Sequence, residues 1–217
     1  TGNKNINFHP EYLKCAMDNV LEKAGVTCLL HTRVTGVKMQ NGQMTALECT
    51  DDEGTFSIQA KTFVDATGDA ALAHLAGAET IWGGEDGTVQ AATLPFRLSG
   101  VDTSCDLSPA AVEKAVIKAK EEGIPNLSKE KGFILKREGS DQVAVLLPSV
   151  MPKSLDCREM TAMEQETRKQ VLSYVKALKK YLPGMENSEL SVIGPSIGFR
   201  ETRRIKGRKV LTADDVL

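Results

Sequence analysis

Two stretches of the sequence concentrate residue types that can do chemistry. The first runs from Phe63 through Val64-Asp65-Ala66-Thr67-Gly68-Asp69 into the small-residue segment Ala70 to Ala76. Gly68 would let backbone come close to a ligand, and Asp69 would cap a helix whose first N–H groups lie beside that approach. Taken alone, the same residues also describe an ordinary strand-turn-helix junction. The second stretch, Arg200 to Lys209, is a basic cluster, RETRRIKGRK. Such a cluster can be a solvated face or a nucleic-acid contact. It can also be a set of guanidiniums, Arg200, Arg203 and Arg204, turned toward an anionic cofactor or a substrate carboxylate. The aromatic residues that would stack bases are missing from it, and the chain's net charge is −2. Spacing alone does not choose between these uses.

Other constellations carry less. Gly194-Pro195-Ser196-Ile197-Gly198 matches the G-x-S-x-G pattern of a hydrolase nucleophile, but His9, His31 and His74 all precede Ser196 and no helix pattern follows, so a structural turn is expected. The histidines read as satisfied structural residues, and no side chain can be named as a catalytic acid or base. Cys15, Cys28, Cys49, Cys105 and Cys157 include no C-x-x-C pair, which excludes a legible zinc or iron-sulfur site, and no metal is expected. Reduced thiols fit a reducing compartment, so the chain is expected to be cytoplasmic. Neither G-x-G-x-x-G nor a P-loop occurs in the 217 residues.

The elements that must position these residues follow from periodicity. The 41% apolar and 26% charged composition is that of a globular chain, with no run long enough to span a membrane and no signal-peptide core in residues 1–20. Leu13, Met17, Val20, Leu21 and Ala24 make an apolar helical stripe opened by Pro10 and closed by Gly25. A strand is predicted at Val26–Leu30, then an antiparallel meander over 33–38, 44–49 and 55–59, with Gln40-Asn41-Gly42 and Asp51-Asp52-Glu53-Gly54 at its turns. Phe63 and Val64 read as the end of a buried strand entering Ala66-Thr67-Gly68. After the glycine link 83–87, a strand is predicted over 89–98 and a helix from Ser108 to Gly123. A hairpin follows around Gly139-Ser140. A long helix starts at Asp156 with Glu159 completing a capping box, its buried face traced by Met160, Met163, Thr167, Val171, Val175, Leu178 and Leu182. The segment 190–205 reads as extended.

The order of these pieces, with "HTRVTGV", "AKTFVDATGD" and "GPSIGFRETRRIKGRKVLTADDVL", resembles flavoproteins of the glutathione-reductase type. More narrowly it resembles the FAD-dependent oxidoreductase family that includes relatives of heterodisulfide reductase. The resemblance implies an α/β fold in which residues 1–86 form a partial, Rossmann-like FAD-binding domain with an antiparallel meander. Residues 87–190 would form a mixed α+β substrate or cap domain, and residues 191–217 a return segment. It implies FAD contact at Val34, Ala66, Thr67, Gly68 and Asp69, with Arg33 beside them, and anion contact at Arg200, Arg203 and Arg204. The chain is then expected to be an internal fragment of a flavoenzyme acting on a small molecule, itself inactive and without bound FAD. Apolar surface left open by missing strands would favour self-association. The rival expectation is a non-catalytic module whose 200–209 cluster docks a protein or nucleic acid.

Overall fold

A computed structural model describes residues 8–84, 86–137 and 139–215; Glu85, inside the predicted glycine link, lies outside the described residues. The chain divides into two compact units, Val89–Glu201 as the body of unit one and His9–Thr88 with the segment from Thr202 as unit two.

Unit two opens with α1 (Pro10–Lys23), capped by His9, whose Nδ1 accepts from the Glu11 N–H at 3.3 Å. None of its residues is buried, so the predicted stripe of Leu13, Met17 and Val20 faces solvent. Three antiparallel strands follow, β1 (Arg33–Gln40), β2 (Gln43–Asp51) and β3 (Gly54–Gln59), in the order β1-β2-β3. They form because each turn is built from local chemistry. Asp51 Oδ1, for example, accepts from Glu53 and Gly54 N–H at 2.9 and 3.1 Å. Ala46 and Cys49 are the buried residues of β2 and, being three apart, stand on opposite faces of the strand. Next come α2 (Ala71–Leu75) and β4 (Thr80–Trp82), which pairs antiparallel with β11 (Arg203–Ile205), and a 3₁₀ turn at Ala213–Asp215.

Two predicted strands of this unit are corrected. Val26–Leu30 and Phe63–Ala66 are not strands; they have no hydrogen-bonded partner strand among the described residues. A strand exists only through its neighbour's backbone groups, and apolar composition does not supply one. Val64, predicted to be buried, is 82% exposed.

Unit one contains β5 (Ala92–Thr93), β6 (Phe96–Ser99), α3 (Pro109–Glu121), β7 (Phe133–Lys136), β8 (Val143–Leu146), β9 (Ser149–Val150), α4 (Cys157–Tyr181) and β10 (Glu189–Ile193). The strands make a four-stranded antiparallel sheet in the order β10-β6-β8-β7, with β5 and β9 paired separately. The strand predicted over 89–98 is divided at Pro95, which has no N–H for a ladder; its carbonyl instead accepts from Gly194 N–H at 2.8 Å. Phe96, Leu98, Val143 and Val145 share one buried cluster with Val112 and Val116 of α3 and with Val171, Tyr174 and Leu178 of α4. Asp156 caps α4, accepting from Arg158 and Glu159 N–H at 2.9 and 3.1 Å. The predicted reciprocal bond from Glu159 is replaced by Ser154, whose Oγ accepts from Asp156 N–H at 3.4 Å.

Two polar side chains on the buried face of α4 lock neighbouring backbone. Gln170 Oε1 accepts from Ser149 N–H at 2.8 Å. The Tyr174 hydroxyl accepts from Lys129 N–H at 2.9 Å and donates to Lys129 C=O at 2.6 Å. Tyr174→Phe should therefore cost about 1–3 kcal/mol, because it strands two backbone groups without opening a cavity. Urea unfolding checks this, and an unchanged midpoint would show that solvent replaces the hydroxyl.

Candidate functional site

The turn from Asp65 to Ala70 is organised by Asp65. Its Oδ1 accepts from Thr67 N–H at 3.0 Å and Thr67 Oγ1–H at 2.7 Å, and its Oδ2 accepts from Ala73 N–H at 2.9 Å. Thr67 Oγ1 accepts in turn from Ala71 N–H at 3.0 Å. The predicted cap, Asp69, makes no such bond, and the residue before α2, Ala70, stands in the left-handed region at φ 52°. The expectation of a helix N-terminus offered to a ligand is thus overturned, since α2 has five residues and Asp65 and Thr67 occupy its Ala71 and Ala73 N–H groups. Gly68 sits at φ +82° with open space where a Cβ would be, so backbone conformation is what requires glycine there.

Partial burial pushes the Asp65 carboxyl up, but the Thr67 hydroxyl and the Ala73 and Thr67 N–H groups outweigh it and hold it below the usual carboxylate range. A depressed carboxyl stabilises the fold fully above its unfolded pKa of about 4 and loses that contribution as pH falls through the lower folded value. Acid unfolding followed by the fluorescence of Trp82, the single tryptophan, should be shallower in Asp65→Asn. A wild-type acid profile in that variant would remove Asp65 from the account.

A cavity of about 740 Å³ in unit two is lined by Val34 and Arg33 of β1, by Val64, Asp65, Thr67 and Asp69 of the turn, by Leu72 and His74 of α2, and by Arg203 of β11. Two buried polar atoms of these residues have no partner, Asp69 Oδ1 and Arg203 Nε. A second hollow of about 420 Å³ is lined by Gly68, Arg203 and Arg204 among others. Of the residues singled out by sequence, Val34, Thr67, Asp69 and Arg203 therefore meet at one cavity, and Gly68 and Arg204 at the other. Ala66 is exposed and lines neither.

The basic cluster is divided between the two units. Arg200 belongs to unit one, whereas Arg203 and Arg204 belong to unit two. Burial lowers the Lys129 ammonium pKa, and the nearby Arg200 charge adds to that shift. Arg204 donates to Gly83 C=O. Lys206 pairs with Glu79 and Lys209 with Asp215, each at 2.7 Å. Three of the six cations of the stretch, Arg204, Lys206 and Lys209, are thus engaged within the chain. Among the described residues no cluster of His, Cys, Asp and Glu could hold a metal, and no helix is long and apolar enough to cross a membrane. The five cysteines are free.

Ser196 of the G-x-S-x-G match lies in a turn, pinned where Ile197 N–H donates to Glu164 Oε1 at 2.6 Å and where Thr93 and Gly198 exchange backbone bonds of 3.0 and 2.9 Å. Among the described residues no α-helix follows it.

Antiparallel sheets with helices make this a mixed α/β protein, and its fold is similar to FAD-binding reductase folds. The FAD-dependent oxidoreductase family model matches residues 1–217, and the chain belongs to that family, whose cofactor is FAD. No curated protein sequence matches it. Its fold is similar to that of a geranylgeranyl bacteriochlorophyll reductase-like protein from Thermoplasma acidophilum, with TM-score 0.55, 14% identity, and coverage of 88% of this chain and 44% of that one. It is also similar to a triple mutant of the flavin-dependent brominase Bmp2, with TM-score 0.50, 14% identity, and coverage of 90% and 45%. The chain thus spans less than half the length of either structure.

Proposed function

We infer that the chain is part of a longer FAD-dependent oxidoreductase, in which unit two supplies one wall of the FAD site and unit one the substrate side. The observation that carries this reading is the pair of unpartnered buried atoms, Asp69 Oδ1 and Arg203 Nε, in residues lining the 740 Å³ cavity. FAD fits such a pair, because its sugar hydroxyls can donate to a carboxylate and its pyrophosphate can accept from a guanidinium. When bound, it supplies hydride or electron transfer. Asp69 and Arg203 would hold its polar parts, and the β1 backbone at Val34 would face its adenine. Thr67 acts on the cofactor only through the turn it fixes.

The unpaired segments Val26–Leu30 and Phe63–Ala66 are read as positions in a parallel, Rossmann-like sheet completed by residues outside this chain. A pyrophosphate cradle of backbone N–H groups at a glycine loop would come from the same residues. Lacking several charge-assisted hydrogen bonds of about 1.5–3 kcal/mol each, the isolated 217-residue chain should be colourless. It should show no saturable FAD binding up to about 100 µM. A yellow chain with stoichiometric FAD would overturn the partial-site reading.

The apolar stripe of α1 is read as a face covered in the complete protein. Left open, it should drive concentration-dependent self-association of the isolated chain. Sedimentation equilibrium should show this association weakened by Met17→Ser with Val20→Ser, both residues being more than half exposed. Equal association by the double variant would move the contact elsewhere.

A further inference from the structure

In unit one, β5, β9 and the segment around Gly198 make a narrow strip. Thr93 of β5 lies opposite Ser149 of β9 on one side and opposite Gly198 on the other. The same antiparallel register runs on to Gln90, whose N–H donates to Glu201 Oε2 at 3.2 Å, so Ala91 stands opposite Arg200. One face of the strip is apolar: Ala92, Val150, Ile197 and Phe199 cluster with Met160 and Met163 of α4. Alternation therefore sets Thr93, Ser149 and Arg200 on the other face, and leaves Glu201 on the side of Phe199.

Lys129 borders the polar face. Ser128 Oγ lies 3.4 Å from Ser149 Oγ, and the Tyr174 hydroxyl holds both backbone groups of Lys129, which fixes the residue beside β9. Lys129 is half-buried and Arg200 exposed. The Arg200 charge reaches the Lys129 ammonium and, after burial, lowers its pKa further. Among the described residues neither side chain has a hydrogen-bond acceptor or a carboxylate partner. The surrounding acids are engaged elsewhere: Glu130 with Lys120 at 3.0 Å, Glu164 with Arg168 at 3.1 Å and with Ile197 N–H, and Glu201 with Gln90 N–H. Two like charges held together repel, and one of them is also partly desolvated; a bound anion relieves both costs.

We propose that Lys129 and Arg200 form a subsite for a phosphate dianion, either free phosphate or the phosphate group of a substrate ester. This names a substrate group for unit one and rests on the reading of that unit as the substrate side. Two cations match two negative charges. An ammonium and a guanidinium presented from separate segments suit an oxyanion that accepts hydrogen bonds around a tetrahedron. A monocarboxylate would leave one of the cations unanswered. A nucleic-acid backbone would need further cations along the strip, where Thr93 and Ser149 are neutral.

The test is calorimetric titration of the full chain with phenyl phosphate, inorganic phosphate and benzoate at about pH 7.5, where a phosphate ester carries close to two charges. Phenyl phosphate should bind about tenfold tighter than benzoate, and inorganic phosphate should compete with it. A tighter ester would identify a phosphorylated substrate and equal affinities free phosphate; both support the subsite. Lys129→Ala, which leaves the backbone bonds to Tyr174 in place, and Arg200→Ala should each weaken phenyl phosphate about tenfold. Lys114→Ala, at an exposed position of α3, should change nothing. Wild type without a preference for the dianion, wild-type affinity in Lys129→Ala, or an equal loss in Lys114→Ala would overturn the proposal. So would a lack of phosphate binding by the protein from the complete reading frame, because a carboxylate from outside this chain would then be the partner of the pair. Arg203→Ala should bind phenyl phosphate as wild type does, so this subsite and the FAD reading of unit two can fail separately.

Discussion

Phe96→Ala is expected to destabilise unit one by about 3–5 kcal/mol, the cost of truncating a buried aromatic in a close-packed core. Phe96 is 1% exposed and belongs to the cluster that joins the sheet to α3 and α4. It also sits in register between Val145 of β8 and Ile193 of β10, so the void would open at the middle of the sheet. Of the two cross-strand neighbours, Val145 is itself fully buried and cannot swing in to fill the gap without leaving its own packing. Denaturant unfolding, with amide exchange read in β6 and β8, measures the loss. A cost below about 1 kcal/mol would mean that this cluster is not the core of the unit.

Gly83→Ala should have the next largest effect, about 2–4 kcal/mol against unit two. Gly83 is in the left-handed region at φ +67°, where a Cβ would lie 2.7 Å from the Gly87 carbonyl and from Thr88 O. Both obstacles are backbone, so no side-chain rotation relieves the clash. The Gly83 carbonyl also accepts from Arg204, which neighbours Arg203 on the strand paired with β4. The substitution should therefore displace Arg203 as well as lower the midpoint of the Trp82 fluorescence transition. A variant as stable as wild type would show that the loop re-forms around the methyl group.

Local chemistry is what the sequence makes legible. The meander is legible because its turns carry Asn41-Gly42 and an Asp51 that caps its own turn. The long helix is legible through its period and through Asp156. Partnership is not legible. Val26–Leu30 and Phe63–Ala66 have strand composition but no neighbouring strand among the described residues, and the stripe of α1 has helical period but nothing buried. The site shows the same division. Asp69 reads as a cap because it precedes a helix, whereas Asp65 reaches the Ala73 amide eight residues on. Asp69 is instead left with an unpaired buried oxygen. Arg200 and Arg203 look like one cluster in sequence, yet they fall in different units.

Asp69 and Arg203, as FAD-holding residues of a larger flavoenzyme, are the centre of the proposed function. The most direct measurement is the flavin content, by absorbance near 450 nm, of the protein from the complete reading frame, alongside Asp69→Ala and Arg203→Ala. Full occupancy in wild type is expected, with at least tenfold weaker retention of FAD in each variant through loss of a charge-assisted contact of about 1.5–3 kcal/mol. A complete protein without flavin, or variants that keep it as tightly as wild type, would contradict the account.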